Sequence, residues 1–418
     1  MQRPAVFYGW WVVAGFSFMT LTSTGIRHAV GPFLKPITED LELDRATFSI
    51  VIAVSLFLYG LFGPLTGVVL DRFGARVTAT TGVLLLVASL LLTGLVRNFW
   101  EFFLVYGVLL SLGLAFTGPV LASGVTARWF NKRRGTALST LASASMTGMS
   151  LLVPIVTWLI LTAGWRSAYM LIGVGVLLVI LPIALWIVRE SPESMGLVMD
   201  GGRPEPATVA SAAASQRVTA TEAMQTLAFW QLAGSFFTCG FSMSLLSSHG
   251  VPMLTDHGYT PMFASWAIGV LGASAIGGTM LLGWLSDHIG RRPVLSSIYA
   301  GRILIFAGFF LIRDNPAALI AVSVLGGITM SGTGSMTSAL TADIWGRYSV
   351  SRVLGVIFLV HQIGAAIGSW LAGAIFETTG GYGAMFVIAC VFLFFAAVVS
   401  FRVDMQGRPV WRAAPVGT

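Results

Sequence analysis

Apolar residues in this chain come in long unbroken runs, separated by short polar loops that recur at nearly even intervals. Runs of about 20 residues, the length that crosses a bilayer core, predict helices near 8–34, 47–70, 77–96, 100–126, 136–162, 166–188, 227–254, 262–285, 293–312, 316–342, 353–376 and 382–402. The stretch VTATTGVLLLVASLLLTGLV from Val77 is typical. A membrane β-strand would instead alternate in polarity over about ten residues, so the spans are read as helices. The opening MQRPAVFYGWW leads into a run too long for a signal peptide and without a small-residue cleavage site, and it is read as a retained first helix. One connection is long, from Glu190 to Thr226. Its middle, GGRPEPATVASAAASQRVTAT, is poor in large apolar residues and reads as a flexible linker dividing the spans six and six.

Composition makes the solvent explicit. Of 418 residues, 56% are hydrophobic and 10% charged, where a water-soluble protein keeps roughly a quarter charged; mean hydropathy is +0.85. The net charge of +7 raises nucleic acid as a partner, but the basic residues are scattered through short loops and not gathered on one face or tail. With the N-terminus inside, 17 Lys and Arg fall in cytoplasmic segments against 5 in outer loops, and Arg27 and Arg302 remain within spans. That bias predicts both termini in the cytoplasm. The expected organisation is a six-helix bundle over 1–189, a cytoplasmic linker over 190–226, a second bundle over 227–404 and a cytoplasmic tail over 405–418. Cys239 and Cys390 both lie in apolar runs, read as small buried side chains with no disulfide or metal-ligand spacing.

Two loops repeat one pattern. After the second span the chain reads GVVLDRFGAR, Gly67 to Arg76, and after the eighth GWLSDHIGRR, Gly283 to Arg292. Gly74 and Gly290 permit a tight turn between helices, and Asp71 and Asp287 can accept hydrogen bonds at a helix N-terminus or pair with arginines. With this motif in both halves, the chain resembles the major facilitator superfamily over essentially its whole length. The resemblance implies an all-α membrane protein of twelve transmembrane helices, in two pseudo-symmetric six-helix bundles around a cavity that opens alternately to each side. It implies that Asp71, Arg72, Arg76, Asp287, Arg291 and Arg292 belong to the cytoplasmic gate; His288 replaces the usual second basic residue.

A narrower likeness rests on three segments. ARWFNKRRGTALSTLASASMTG from Ala127 and YGWWVVAGF at Tyr8 are similar to the helix 4–5 signature and first-helix opening of monocarboxylate transporters. HQIGAAIGSWLAGAIFETTGGY from His361 looks like the eleventh helix of bacterial members, where the related oxalate–formate exchangers carry a lysine. By the same resemblance His28 falls at a helix-1 lysine. These families also place a substrate-binding arginine in helix 8, and here that position is Thr279, with Ala275 where an acidic residue is expected one turn earlier.

Charged and titratable residues within spans are costly and are candidates for function. Arg27, His28, His249, Arg302, His361 and its neighbour Gln362 form the candidate substrate and proton site. Thr20, Thr24, His28 and Gly31 share one helical face, as do Thr238, Ser242 and His249; Ser139, Ser143, Thr147 and the run SGTGSMTS from Ser331 add small polar groups. Each has a bland alternative: close helix packing for the small residues, a hydrogen-bonded structural role for the histidines, snorkelling for Arg27 and an inter-helix pair for Arg302. A protonated imidazole binds an anion and a proton together, and a guanidinium offers carboxylate a bidentate fork. The expectation is a secondary active transporter for a small mono- or dicarboxylate, proton-coupled and monomeric, in a bacterial inner membrane. No cofactor, metal or nucleic acid is expected. The alternatives are an exporter of hydrophobic compounds or a receptor on a transporter fold. No H-E-x-x-H, G-x-S-x-G, paired intramembrane carboxylate or P-loop is present, so neither an enzyme nor an ATP-driven pump is expected.

Overall fold

Long apolar segments with few internal breakers satisfy their backbone only as helices once water is excluded, and helices are what the chain forms. The computed structural model describes residues 7–130, 133–199, 218–312, 315–330, 332–346 and 350–406. Residues 200–217 of the expected linker, 407–418 of the expected tail and Ser331 lie outside the described residues. Every regular element among the described residues is helical.

Eight helices among them are long and apolar enough to cross a membrane. Two of these, Arg45–Thr93 and Thr136–Ile187, are 49 and 52 residues long, more than twice the roughly 20 that one crossing needs. Each is broken by a glycine in the left-handed region, Gly74 at φ 84° and Gly164 at φ 79°, so each carries two spans. The first span, Gly9–His28 continuing as Val30–Asp40, and the seventh, within Leu227–Asp256, complete a set of twelve among the described residues. Thr20, Ser23, Thr24, Arg27 and His28 lower the hydropathy of the first; Thr238, Ser242, Ser244, Ser247, Ser248 and His249 do so in the seventh. The remaining spans are Phe99–Trp129, Pro261–Ile289, Arg291–Leu311, Pro316–Trp345, Val350–Thr379 and Gly383–Phe401.

Local chemistry sets several ends. Asp44 accepts from the Thr47 backbone N–H to start the second span, and Asn98 does the same for Glu101 at the fourth. Ahead of the seventh span, Thr219 and Glu222 cap each other reciprocally over Ala220–Met224. Bonded to the Thr219 backbone N–H and hydroxyl, the Glu222 carboxyl is held below its ordinary range. Outward-facing side chains are apolar: Trp100, Trp186, Met280, Leu304 and Leu311 are each about 70% exposed, a surface that suits lipid and not water.

Packing gathers the described residues into two units. One holds those within Met1–Arg203, Ser244–Ala273 and Ser369–Tyr382; the other holds those within Pro204–Met243, Ser274–Gly368 and Gly383–Thr418. In the first unit the first and fifth spans approach so closely that a Cβ on Gly148 would overlap the Leu21 carbonyl. Two segments late in the chain join this unit through small residues. Gly31 faces the Ser247 carbonyl, Gly373 packs on Arg45 and Ser49, and Thr157 meets Ser265 at 2.6 Å. In the second unit the seventh and eleventh spans make the same kind of approach, with Gly240 against the His361 carbonyl and Gly364 against that of Phe237. Tyr299 ties the ninth span to the seventh by donating to the Ser235 carbonyl at 2.6 Å.

Candidate functional site

Hydrocarbon surroundings make every charge inside a span expensive, so the partners of each one are informative. Arg302, on the ninth span, is fully buried. Its Nη1 donates to Ser242 Oγ at 3.1 Å and its Nη2 to the Met330 carbonyl at 3.0 Å, while Nε has no hydrogen-bond partner. No carboxylate among the described residues pairs with it. Ser242 and Met330 therefore hold the guanidinium plane and leave an edge with donor capacity to spare. Around this group the unit assembles Cys239, whose Sγ lies 3.1 Å from Thr333 Oγ1, and His361, which neighbours the same thiol. His361 Nδ1 is 2.8 Å from Gln362 Oε1, and its ring lies against Phe236 and Phe358. Arg302, His361 and Gln362 are thus brought together in the second unit.

Arg27 and His28 lie together in the first unit. Arg27 Nη2 is 3.2 Å from His28 Nε2, and the guanidinium sits 5.3 Å from the centre of the Tyr59 ring. A guanidinium can only donate, so His28 Nε2 accepts and the imidazole is neutral in this arrangement. Adding a proton to that nitrogen would set two cations side by side, a state that an incoming carboxylate would stabilise. Arg27 is half-buried, His28 buried, and no acidic side chain among the described residues pairs with Arg27.

His249 has different company. Its Nδ1 is 3.1 Å from Tyr382 Oη, and its Nε2 is 3.1 Å from the Ser369 carbonyl and 3.2 Å from Ser49 Oγ. The carbonyl can only accept, which places the ring proton on Nε2 and makes Tyr382 the donor to Nδ1. Beside it, Asp256 takes Lys35 Nζ at 2.7 Å and Arg45 Nη1 at 2.7 Å. Arg45 also donates to Tyr382 Oη at 2.9 Å, lies 3.7 Å over the Phe376 ring, and offers its backbone N–H to Glu377. These residues sit at the ends of spans opposite the repeated loop motif, and Asp256 lies just past the apolar stretch 227–254. Burial alone would raise the Asp256 carboxyl, but hydrogen bonds from Arg45 and Lys35 outweigh it and hold the group below its ordinary value.

At the motif ends the repeat is visible in three dimensions. Gly290 has φ 91° where Gly74 has 84°, both in the region that favours glycine. Asp71 pairs with Arg128 at 2.8 Å, and Arg128 also holds Glu190 at 2.8 Å. In the other unit the charges are exchanged: Arg291 pairs with Asp343 and donates to the Ala339 carbonyl. Arg292 donates to the Val403 carbonyl at 3.1 Å, Arg72 lies 5.3 Å from the Phe73 ring, and Arg76 and Asp287 are exposed. His288 Nδ1 donates to the Trp284 carbonyl at 2.8 Å.

Several partners were not evident beforehand. Asp343, Arg128 and Glu190 are far in sequence from the residues they pair with, and only their charge marked them. Cys239 reads as an apolar filler by its flanks; the available signal was its position one helical turn before Ser242. Ser242 and His249 share a face in the seventh span yet bind partners in different units, Arg302 for one and Tyr382 for the other. Thr279 Oγ1 bonds back to the Ala275 carbonyl at 2.9 Å, so no cation stands at the eighth-span position.

Comparison with known proteins agrees with this architecture. The family model described as Major Facilitator Superfamily matches residues 13–315 and 232–414. A Bacillus subtilis protein described as an uncharacterized MFS-type transporter, YcxA, is 26% identical, with 93% of this chain and 94% of that protein covered. Monocarboxylate transporter 13 of Bos taurus is 24% identical over 94% of this chain and 88% of its own. The oxalate:formate antiporter of Oxalobacter formigenes is 22% identical over 93% and 90%. Among solved structures, the D-xylose-proton symporter superposes with a TM-score of 0.77 at 15% identity, covering 96% of this chain and all of that one.

Proposed function

The chain belongs to the Major Facilitator Superfamily, and on that premise we propose that it moves a small organic anion, a mono- or dicarboxylate, together with a proton by alternating access. As a transporter of this superfamily it is a multi-pass membrane protein and not an enzyme. The observation that carries the anion is Arg302, a buried guanidinium with no acidic partner among the described residues and an unused Nε. A carboxylate there would meet two needs at once, a counter-charge for the cation and an acceptor for the spare donors. Arg27 beside His28 is a second position of the same chemistry, at which anion and proton bind jointly.

The relatives named for monocarboxylate and for oxalate and formate support the same substrate class. His249 sits in the network of Arg45, Asp256 and Tyr382, and we assign it to closing the end of the spans away from the basic loops. Asp71, Arg291 and their partners Arg128 and Asp343 we assign to the opposite, cytoplasmic gate, with Arg72, Arg76, Asp287 and Arg292. The excess of basic residues in the motif loops supports both termini being cytoplasmic; we assign the protein to a bacterial inner membrane, acting as a monomer.

A thermal-shift series on purified protein tests the substrate class. Formate, lactate and oxalate are expected to stabilise it, amino acids and sugars not, with a larger effect at about pH 5.5 than at about pH 7.5, either side of the ordinary imidazole value. Stabilisation by none of the carboxylates at either pH would sink the anion reading.

A further inference from the structure

A guanidinium sealed from water requires a negative neighbour, since an uncompensated buried charge costs several kcal/mol. Arg302 has no carboxylate among the described residues, in contrast to Arg45, Arg128, Arg166 and Arg291, which all have one. When no substrate is bound, the counter-charge must come from another kind of group. Cys239 is placed for it: buried, within 3.1 Å of Thr333 Oγ1, and in electrostatic contact with both Arg302 and His361. Tyr299, one turn from Arg302, is the other ionisable group facing the thiol. From the tenth span the facing group is the neutral Thr333, and the twelfth presents Phe392 to the seventh through Phe237 and Phe241. Gln362 Oε1, an acceptor, fixes the His361 proton on Nδ1 and leaves Nε2 as the nitrogen that can take up a proton.

We propose that Cys239 is the proton-exchanging counter-group of Arg302, a thiolate in the vacant carrier that becomes a thiol when a carboxylate takes the Nε edge of the guanidinium. This rests on the reading of Arg302 as the anion seat. Loading adds one carboxylate and one proton; unloading removes both. The only bond made or broken is S–H, and nothing is oxidised or reduced. His361 lies where it can relay the proton. Because the two anions compete for one cation, the carrier passes an anion only with its proton, so transport is electroneutral. The proton coupled to the anion at Arg302 resides at Cys239.

Proton uptake distinguishes the possibilities. Lactate added to lightly buffered wild-type protein at neutral pH should draw about one proton per anion bound, followed with a pH dye. Cys239→Ser keeps a polar partner for Thr333 but cannot ionise; it should bind lactate without proton uptake and carry it electrogenically in proteoliposomes. Cys239→Ala serves if the serine variant misfolds, and Cys390→Ser should behave as wild type. Lactate binding without proton uptake in the wild type, or unchanged uptake in Cys239→Ser, overturns the proposal while leaving Arg302 as the seat. If lactate does not bind at all, the seat fails, and the counter-group is read directly. The thiolate ultraviolet band, taken between C390S and C239S/C390S at neutral pH, should be present and should vanish when Arg302→Gln is added. Absence of that band overturns the proposal.

Discussion

Arg302→Met is expected to weaken carboxylate binding and transport by about thirtyfold or more, while the vacant protein melts no lower than wild type. The guanidinium is fully buried, and removing one partner of a buried charged contact costs about 2–5 kcal/mol, tenfold in binding for every ~1.4 kcal/mol. Stability should stay close to that of the wild type. A buried cation without a carboxylate is expensive, and an apolar residue of similar volume is neutral or better. Against that gain stands the loss of the bonds to Ser242 and the Met330 carbonyl, about 1–3 kcal/mol for the group left unsatisfied. The two nearly offset. Arg302→Lys keeps the charge without the planar fork and should be intermediate. A merely structural strut would show the reverse pattern, with lower melting and intact binding. Scanning fluorimetry with and without lactate, beside uptake into proteoliposomes, separates the two outcomes.

Asp256→Asn is expected to loosen the end of the spans opposite the basic loops by about 2 kcal/mol, roughly thirtyfold in the local equilibrium. Among the described residues Asp256 is the one carboxylate paired with both Lys35 and Arg45, and its loss leaves two cations close together. Its side chain is 28% exposed, so the effect falls short of that of a fully buried pair. The readout is labelling of a cysteine placed at Ser248, which is buried and bonded to Ser369 there. A membrane-impermeant maleimide should reach it far faster in Asp256→Asn. An unchanged rate would show that the ion pairs do not hold this end. The pH dependence follows from the sign of the shift. A carboxyl held below its ordinary value stabilises above that value, and the contribution is lost only as pH falls through the depressed one. Once normalised to the thiolate fraction of the introduced cysteine, labelling should therefore stay flat from about pH 8 to about pH 5. Any pH dependence of transport in that window must arise elsewhere, at Cys239 or His28.

Twelve crossings, their boundaries within a few residues and the internal repeat were readable from the chain. Crossing a bilayer imposes a length and a polarity that any window of residues displays. Gly74 and Gly290 were equally readable, because a left-handed turn between two helices leaves little choice but glycine. Partnership was not readable in the same way. Asp71 was expected to use a helix N-terminus or arginines nearby and instead uses Arg128, 57 residues on. The stripe of Thr238, Ser242 and His249 reads as one surface, yet its members divide between two units. Cys239 reads as apolar because its flanks are, and flanks say nothing about what approaches from another helix.

Sequence alone therefore determined where the chain meets lipid, how many times it crosses and that its halves are related. These properties depend on local hydropathy and local backbone freedom. Only the tertiary structure decided which buried cations lack a carboxylate, that Arg302 stands beside Cys239 and His361, and that His249 belongs with Arg45 and Asp256. Electrostatic energy depends on distance through space, and helices brought together by glycine contacts set those distances between residues far apart in the chain.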